Sequence, residues 1–311
     1  MRRVGFTMME LIFVIVIMGI LSKFGLEFLS QAYNNFIFSQ INNSLQSRST
    51  AAVEGIASRL QFRIKDSIIA RDGISPIAVP AFEALSGSTL GDDANILEWV
   101  GTDIEGLRGD LDPLWSGIID LENSSTNFLD SPETNTTALN TLIGILSSGG
   151  AGTSGINDSA IYFIGSDSNI QTGYGWETTG TGMINQSSTM HPIRRSLTPG
   201  QENLLIPVNG DTGGDNNFTG EDVYEYYQLA WTAYAVVHST DGNLTLHYDY
   251  QPWAGETYAD GDSQLLMEDV DTFRFKAVGS VVKIQVCVST DIIDGNEDGE
   301  GYSLCKEKTI Y

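Results

Sequence analysis

Cations, histidine and cysteine are scarce in this chain, and each shortage narrows what it can do. Over 311 residues, 16 Lys and Arg face 40 Asp and Glu, a formal net charge of −24. A body of that sign repels nucleic-acid phosphate and anionic membrane headgroups, so no nucleic-acid partner is expected. The same acidity suits an exported soluble body, or one that holds hard cations such as calcium. The only histidines are His191, His238 and His247. No nucleophile elbow or acid–base dyad accompanies them, which argues against an enzyme. What is abundant is glycine, 33 residues, with 10% aromatics. That mixture describes an ordered, loop-rich β protein rather than a disordered tail.

The first thirty residues also lack something. Arg2 and Arg3 fit the start of an ordinary secretory signal, but "LSKFGLEF" offers no small-residue A-x-A cleavage site. A plain transmembrane anchor needs about 20 apolar residues. Leu11–Leu21 is uninterrupted, and flanking Phe6–Met9 and Phe24–Leu29 bring it to that length. Neither reading explains Glu10, since a carboxylate in such a segment costs roughly 2.5–3.5 kcal/mol on insertion scales.

"GFTMMELIFVIVIMGIL" resembles the class III signal of type IV pilins and pseudopilins: a short basic leader, then Gly, Phe, and Glu at the fifth mature position. The resemblance implies cleavage by prepilin peptidase after Gly5 and N-methylation of Phe6. It makes Glu10 the assembly glutamate, whose charge neutralises the Phe6 amine of its own or a neighbouring subunit. Arg2 and Arg3 before the anchor, against a lone Lys23 after it, place the N-terminus in the cytoplasm and export the rest.

Beyond the anchor, Leu29, Tyr33, Ile37, Ile41, Leu45, Val53, Ile56, Leu60, Ile64 and Ile68 recur in steps dominated by three and four. The spacing predicts one amphipathic helix continuing to about Arg71, with Asp72-Gly73 and Pro76 as its stop. Strands are expected at Ile96–Val100, Trp115–Leu121, "AIYFIGS", Leu204–Val208, Phe273–Val278, Val281–Ser289 and Tyr302–Ile310. A short helix is expected in "SPETNTTALNTLIGILSSGG", with Ser131 as N-cap and Pro132 in the first turn. Residues 167–220 read otherwise as surface loops, and Leu265–Val270 as a turn or short helix. In "YYQLAWTAYAVVHSTDGNLTLHYDYQ", a tight Asp241-Gly242 turn pairs Thr240 with Asn243. Leu229, Trp231, Ala233, Ala235 and Val237 then share a face with Leu244, Leu246, Tyr248 and Tyr250.

The fold class expected is α+β: a long N-terminal helix, half membrane-spanning and half amphipathic, packed on an antiparallel β-sheet with long loop insertions. The segments are a 1–5 leader, a 6–26 transmembrane or filament-core helix, a 27–72 amphipathic helix and a 73–311 exported β-rich domain. The order of elements and the "LLMEDVDTFRFKA…VVKIQVCV" ending are similar to J-type pseudopilins of type II secretion and W-type minor pilins.

Four motifs bear on chemistry. "GAGTSG" (Gly150–Gly155) matches a dinucleotide fingerprint, but it follows a helix and precedes a strand, so it reads as a flexible loop. His238, His247 and Asp249 fall near one another on the hairpin's polar face, as a metal pair or, more ordinarily, as surface side chains. Cys287 and Cys305 sit on successive strands of an exported chain, where a disulfide is the leading reading over two buried thiols. Between them, "DIIDGNEDGEG" carries Asp294, Asn296 and Asp298 at the spacing of half an EF-hand loop. Asp291 or Glu300 would have to complete the calcium shell; otherwise the segment is a solvated acidic turn. Asp215, Asn217 and Thr219 form a second, weaker candidate.

The function expected is structural: a minor pilin or pseudopilin of a type IV pilus-like or type II secretion filament, at its tip or in priming. A shaft pilin and a non-polymerising, membrane-anchored calcium-binding adhesin are the alternatives. Partners would be other pilin subunits, prepilin peptidase and the inner membrane, with periplasmic or cell-surface residence after assembly.

Overall fold

In the computed structural model, the described residues are 7–73, 82–147, 149, 154–177, 183–208, 217–290 and 302–311. The chain divides into two compact units, Met1–Arg48 and Ser49–Tyr311. One helix, α1 (Met8–Leu60), contributes to both.

The second unit is built from α1's last turns followed by short elements. These are β1 (Ile69–Arg71), β2 (Phe82–Ala84), β3 (Ile96–Gly101), α2 (Ile104–Arg108), β4 (Asp120–Ser125), β5 (Phe128–Asp130) and α3 (Thr136–Leu146). Then come β6 (Ala160–Phe163), β7 (Met190–Arg195), β8 (Leu204–Pro207), β9 (Tyr227–Ala230), β10 (Thr232–His238), β11 (Leu244–Tyr250) and β12 (Asp262–Met267). The C-terminal end is a meander of β13 (Val270–Val278), β14 (Val281–Thr290) and β15 (Tyr302–Ile310). Every pairing among these strands is antiparallel, so the α+β class holds.

Three sheets form rather than one. Their strand orders are β12-β11-β10-β3-β1-β2, β13-β14-β15, and β4-β5-β8-β7-β6-β9. The alternation within β6 shows how two of them are layered. Ala160 and Tyr162 point into a cluster with Ile69, Ile96, Val100 and Trp253, which lies against the first sheet. Ile161 and Phe163 point the other way, into a cluster with Leu139 and Ile143 of α3. A strand buried on both faces reads as a continuous apolar run, and "AIYF" does.

Helix α1 stops at Leu60, eleven residues short of Arg71, which is the principal correction to the sequence reading. Ile64 and Ile68 keep helical spacing, but β-branched Ile68 and Ile69 suit a central strand, and β1 is paired on both sides. Phe62 instead accepts a hydrogen bond from Thr102, and Ile64 donates to Val100. Backbone donors meet most of the last helical carbonyls, Gln61 N to Ala57 O, Phe62 N to Arg59 O and Arg63 N to Leu60 O, and the Arg63 side chain adds a second bond to Leu60 O.

The β10–β11 hairpin forms with its register displaced by one residue. His238 faces Leu244 and Val236 faces Leu246, so Val237 shares a face with Thr245 instead of Leu244. The cause is the turn: Ser239 N donates to Asn243 O, closing a three-residue loop. Gly242 takes φ +82° while Asp241 stays out of the left-handed region, whereas a two-residue type I′ turn needs both there. Residues 262–267 form an edge strand on β11, and the turn follows at Asp269, φ 60°. For α3, the N-cap is Asn135, accepting from Ala138 N at 2.9 Å. Ser131 is drawn elsewhere, its hydroxyl 2.9 Å from the Tyr227 hydroxyl.

Asp103 caps α2 by accepting from Gly106 N at 3.0 Å, yet its Oδ2 is enclosed without a partner. Burial holds this carboxyl up to about 6, from 3.8, with nearby Glu105 adding to the rise. A carboxyl raised on folding destabilises the native state above that value and ceases to do so as pH falls towards the unfolded pKa. Asp103→Asn keeps the cap and removes the charge. It should gain about 2–3 kcal/mol at pH 7.5 and flatten the rise in stability that the wild type shows between pH 7 and 4, measured by urea unfolding.

Candidate functional site

The first unit presents an unusual surface. From Met8 to Phe36 its large apolar side chains stand exposed, and Leu11–Met18 do so at eight consecutive positions. A helix apolar on all sides has no solvated face, unlike the stripe of a helix lying on a soluble core. Among the described residues, α1 alone is long and apolar enough to cross a membrane.

Glu10 is the lone acidic side chain of the first turn. Its Oε2 accepts from Thr7 N at 3.4 Å and from Thr7 Oγ1 at 3.3 Å, long contacts on an exposed turn. Thr7-Met8-Met9-Glu10 is therefore a half-formed capping box, with Glu10 reaching back over the free N–H groups of the helix start. The signal was legible as T-x-x-E, but the reading of Glu10 as an assembly residue overlooked it. Gly5 and Phe6 lie outside the described residues.

Cys287 and Cys305 are joined, with Cα atoms 4.0 Å apart at directly opposed positions of β14 and β15. The ladder runs from Val282–Ile310 to Thr290–Tyr302, so the crosslink sits inside it, three pairs from its end. Asp291, Asp294, Asn296, Asp298 and Glu300, the calcium candidates, lie outside the described residues. So does Asp215 of the second candidate; Asn217 accepts from Thr219 N at 2.9 Å in a local turn. Of the glycine-rich motif, residues 150–153 are likewise outside.

The hairpin histidines are not brought together. The one-residue register puts His238 and His247 on opposite faces, which corrects the expectation of a shared face. His238 Nε2 lies 2.9 Å from Val270 O, and His247 Nδ1 2.9 Å from Tyr258 O. Asp249 Oδ2 accepts from Ser147 at 2.8 Å. His191, on β7, is enclosed, and burial lowers its pKa to about 4, so it is neutral at physiological pH. Among the described residues no three His, Cys, Asp or Glu side chains converge as metal ligands would.

No family model, curated protein or solved structure matches the chain.

Replacing both Cys287 and Cys305 with Ser should lower stability by about 3 kcal/mol on the chain-entropy model, read as a shift of the denaturation midpoint. Because the ladder continues on both sides of the bridge, the double variant should keep its far-UV circular dichroism.

Proposed function

We propose that the chain is a type IV pilin-like subunit, made with a five-residue leader and held in the inner membrane by α1 until it enters a filament. The observation that carries this reading is the exposed, all-round apolar start of α1 with one carboxylate at its head, set five residues after Gly5. In a filament, the apolar surface is covered by the same segment of neighbouring subunits. In the membrane it is covered by lipid. Glu10 is then tolerable because the amine of processed Phe6, on its own chain or a neighbour's, offsets its charge.

The size of the second unit, Ser49–Tyr311, supports a tip or priming position in a type IV pilus-like or type II secretion filament. Three sheets with long connections make a bulky body for a tightly repeating shaft, and its acidic balance discourages close self-packing.

The intact mass of the protein from an export-competent cell should show loss of residues 1–5 and gain of one methyl group. Gly5→Leu should leave the leader in place. Glu10→Leu should be processed and inserted normally, yet enter filaments at least about tenfold less, since an unpaired amine left in apolar surroundings costs several kcal/mol. Normal processing of Gly5→Leu, or wild-type incorporation of Glu10→Leu, would refute the assignment.

A further inference from the structure

A second feature lies in the body, on no element discussed above as functional. A pocket of about 510 Å³ opens between the segments Ser166–Gly173, Asn185–His191 and Gly220–Tyr224. That volume is in the range of small-molecule sites.

Its walls are built rather than accidental. Thr189 Oγ1 accepts from Asn169 N at 3.3 Å, and Met190 N donates to Gly173 O at 2.9 Å, tying the first two segments together. A Cβ on Gly173 would meet Thr189 Oγ1 at 2.0 Å and Asn169 O at 2.6 Å, so the segments approach as closely as glycine permits. Asn185 Oδ1 accepts from Ser187 N at 3.1 Å and fixes the second segment as a turn.

The lining is polar, with one aromatic side. The His191 ring forms part of the wall, 4% exposed, and its Nδ1 is enclosed with no hydrogen-bond partner. His191 packs against Phe163 at 4.9 Å and Phe218 at 5.8 Å, while Tyr224 lies 6.3 Å from Phe163 at the pocket's edge. Asp167, Glu221 and Asp222 complete the rim, and among the described residues no Lys or Arg contributes.

These facts select a ligand class. Without a cation, and with three carboxylates, the pocket disfavours phosphates, sulfates and acidic sugars. The carboxylates do not converge on a point with a histidine, so the lining is not a cage for a bare ion. What it offers is many separated donors and acceptors beside an aromatic face. Several hydroxyls spread over a ring with an apolar C–H side meet that pattern. We propose that this pocket binds the neutral end of a saccharide, with Tyr224 and His191 against the sugar ring and the carboxylates and hydroxyls accepting and donating around it. The proposal stands apart from filament membership, since it rests on residues of the second unit alone.

Saturation-transfer NMR on the full-length protein, in a detergent without a sugar headgroup, tests it. The probes are the methyl glycosides of glucose, galactose, mannose and N-acetylglucosamine, with N-acetylneuraminic acid alongside. Transfer to at least one neutral glycoside is expected, and Tyr224→Ala and Asp222→Asn should each weaken it by about tenfold or more. His191→Phe should do the same while leaving the melting temperature unchanged or higher, because it removes a buried nitrogen that has no partner. No transfer to any of the four neutral glycosides overturns the proposal. So does stronger transfer to N-acetylneuraminic acid, or undiminished transfer in all three variants while they melt as the wild type does.

Discussion

The second unit depends on one buried ion pair. Arg71 on β1 and Glu98 on β3 are 6% and 1% exposed, and the guanidinium Nε donates to Glu98 Oε1. The pair does not stand alone. Tyr250 on β11 donates its hydroxyl to Glu98 Oε2 at 3.1 Å, Arg71 Nη2 donates to Trp176 O at 3.3 Å, and the guanidinium lies 5.2 Å from the Phe82 ring centre. Charge at the centre of a sheet is tolerable when both ions are hydrogen-bonded in this way. Removing one partner typically costs 3–5 kcal/mol, although an apolar pair of equal volume can do as well. What the ions add over an apolar pair here is a condition on register. A one-residue slip of β1 against β3 would turn Arg71 away from Glu98 and leave each buried alone. Burial and the adjacent Glu98 charge also push the Tyr250 hydroxyl well above its ordinary value, which keeps it a donor throughout the physiological range.

The same pair explains which parts of the fold were legible. Arg71 near the end of a run of apolar residues at steps of four looks like the basic last turn of a helix, and nothing local says that its partner lies 27 residues on. The helix stop at Leu60 was therefore hidden, while the start of α1, written in an unbroken apolar run, was plain. Strands β3, β6 and β14 were legible because their burial follows from residue type alone. Strand β7 was not, since "MHPIRR" carries Pro192 and two arginines in its six residues. The hairpin's existence was readable from alternation, but its register rests on the backbone of a single turn at Ser239–Asn243. A one-residue error there exchanged two faces and, with them, the supposed neighbourhood of His238 and His247.

For the sites, legibility tracked locality in the same way. The cysteine pairing followed from count and strand order, and its opposed placement needed only the β14–β15 register. Glu10 stood out because its surroundings are so uniformly apolar. The wall of the saccharide pocket could not be read at all. It is assembled from three loops whose Ser, Thr, Asn and Gly content marks them only as loops, and the buried His191 looks in sequence like any other histidine.

On the proposed reading Glu10 has two roles, helix cap and partner of an amine, and they are compatible for a geometric reason. The carboxylate folds back toward Thr7, at the end of α1 where free backbone N–H groups gather and the helix dipole is positive. On the proposed reading, cleavage after Gly5 creates a new ammonium on Phe6, one residue before that cap. A carboxylate already drawn to the helix start then sits close to the new charge within its own chain. The contacts to Thr7, at 3.3–3.4 Å, are long enough to be exchanged for stronger ones. A charge-assisted bond to an ammonium is roughly twice as strong as a neutral one, so the cap gives way wherever the amine comes within reach. On that reading the half-formed capping box would hold the carboxylate against its own helix until processing supplied a cation, leaving the apolar surface behind it for lipid or for a neighbouring helix.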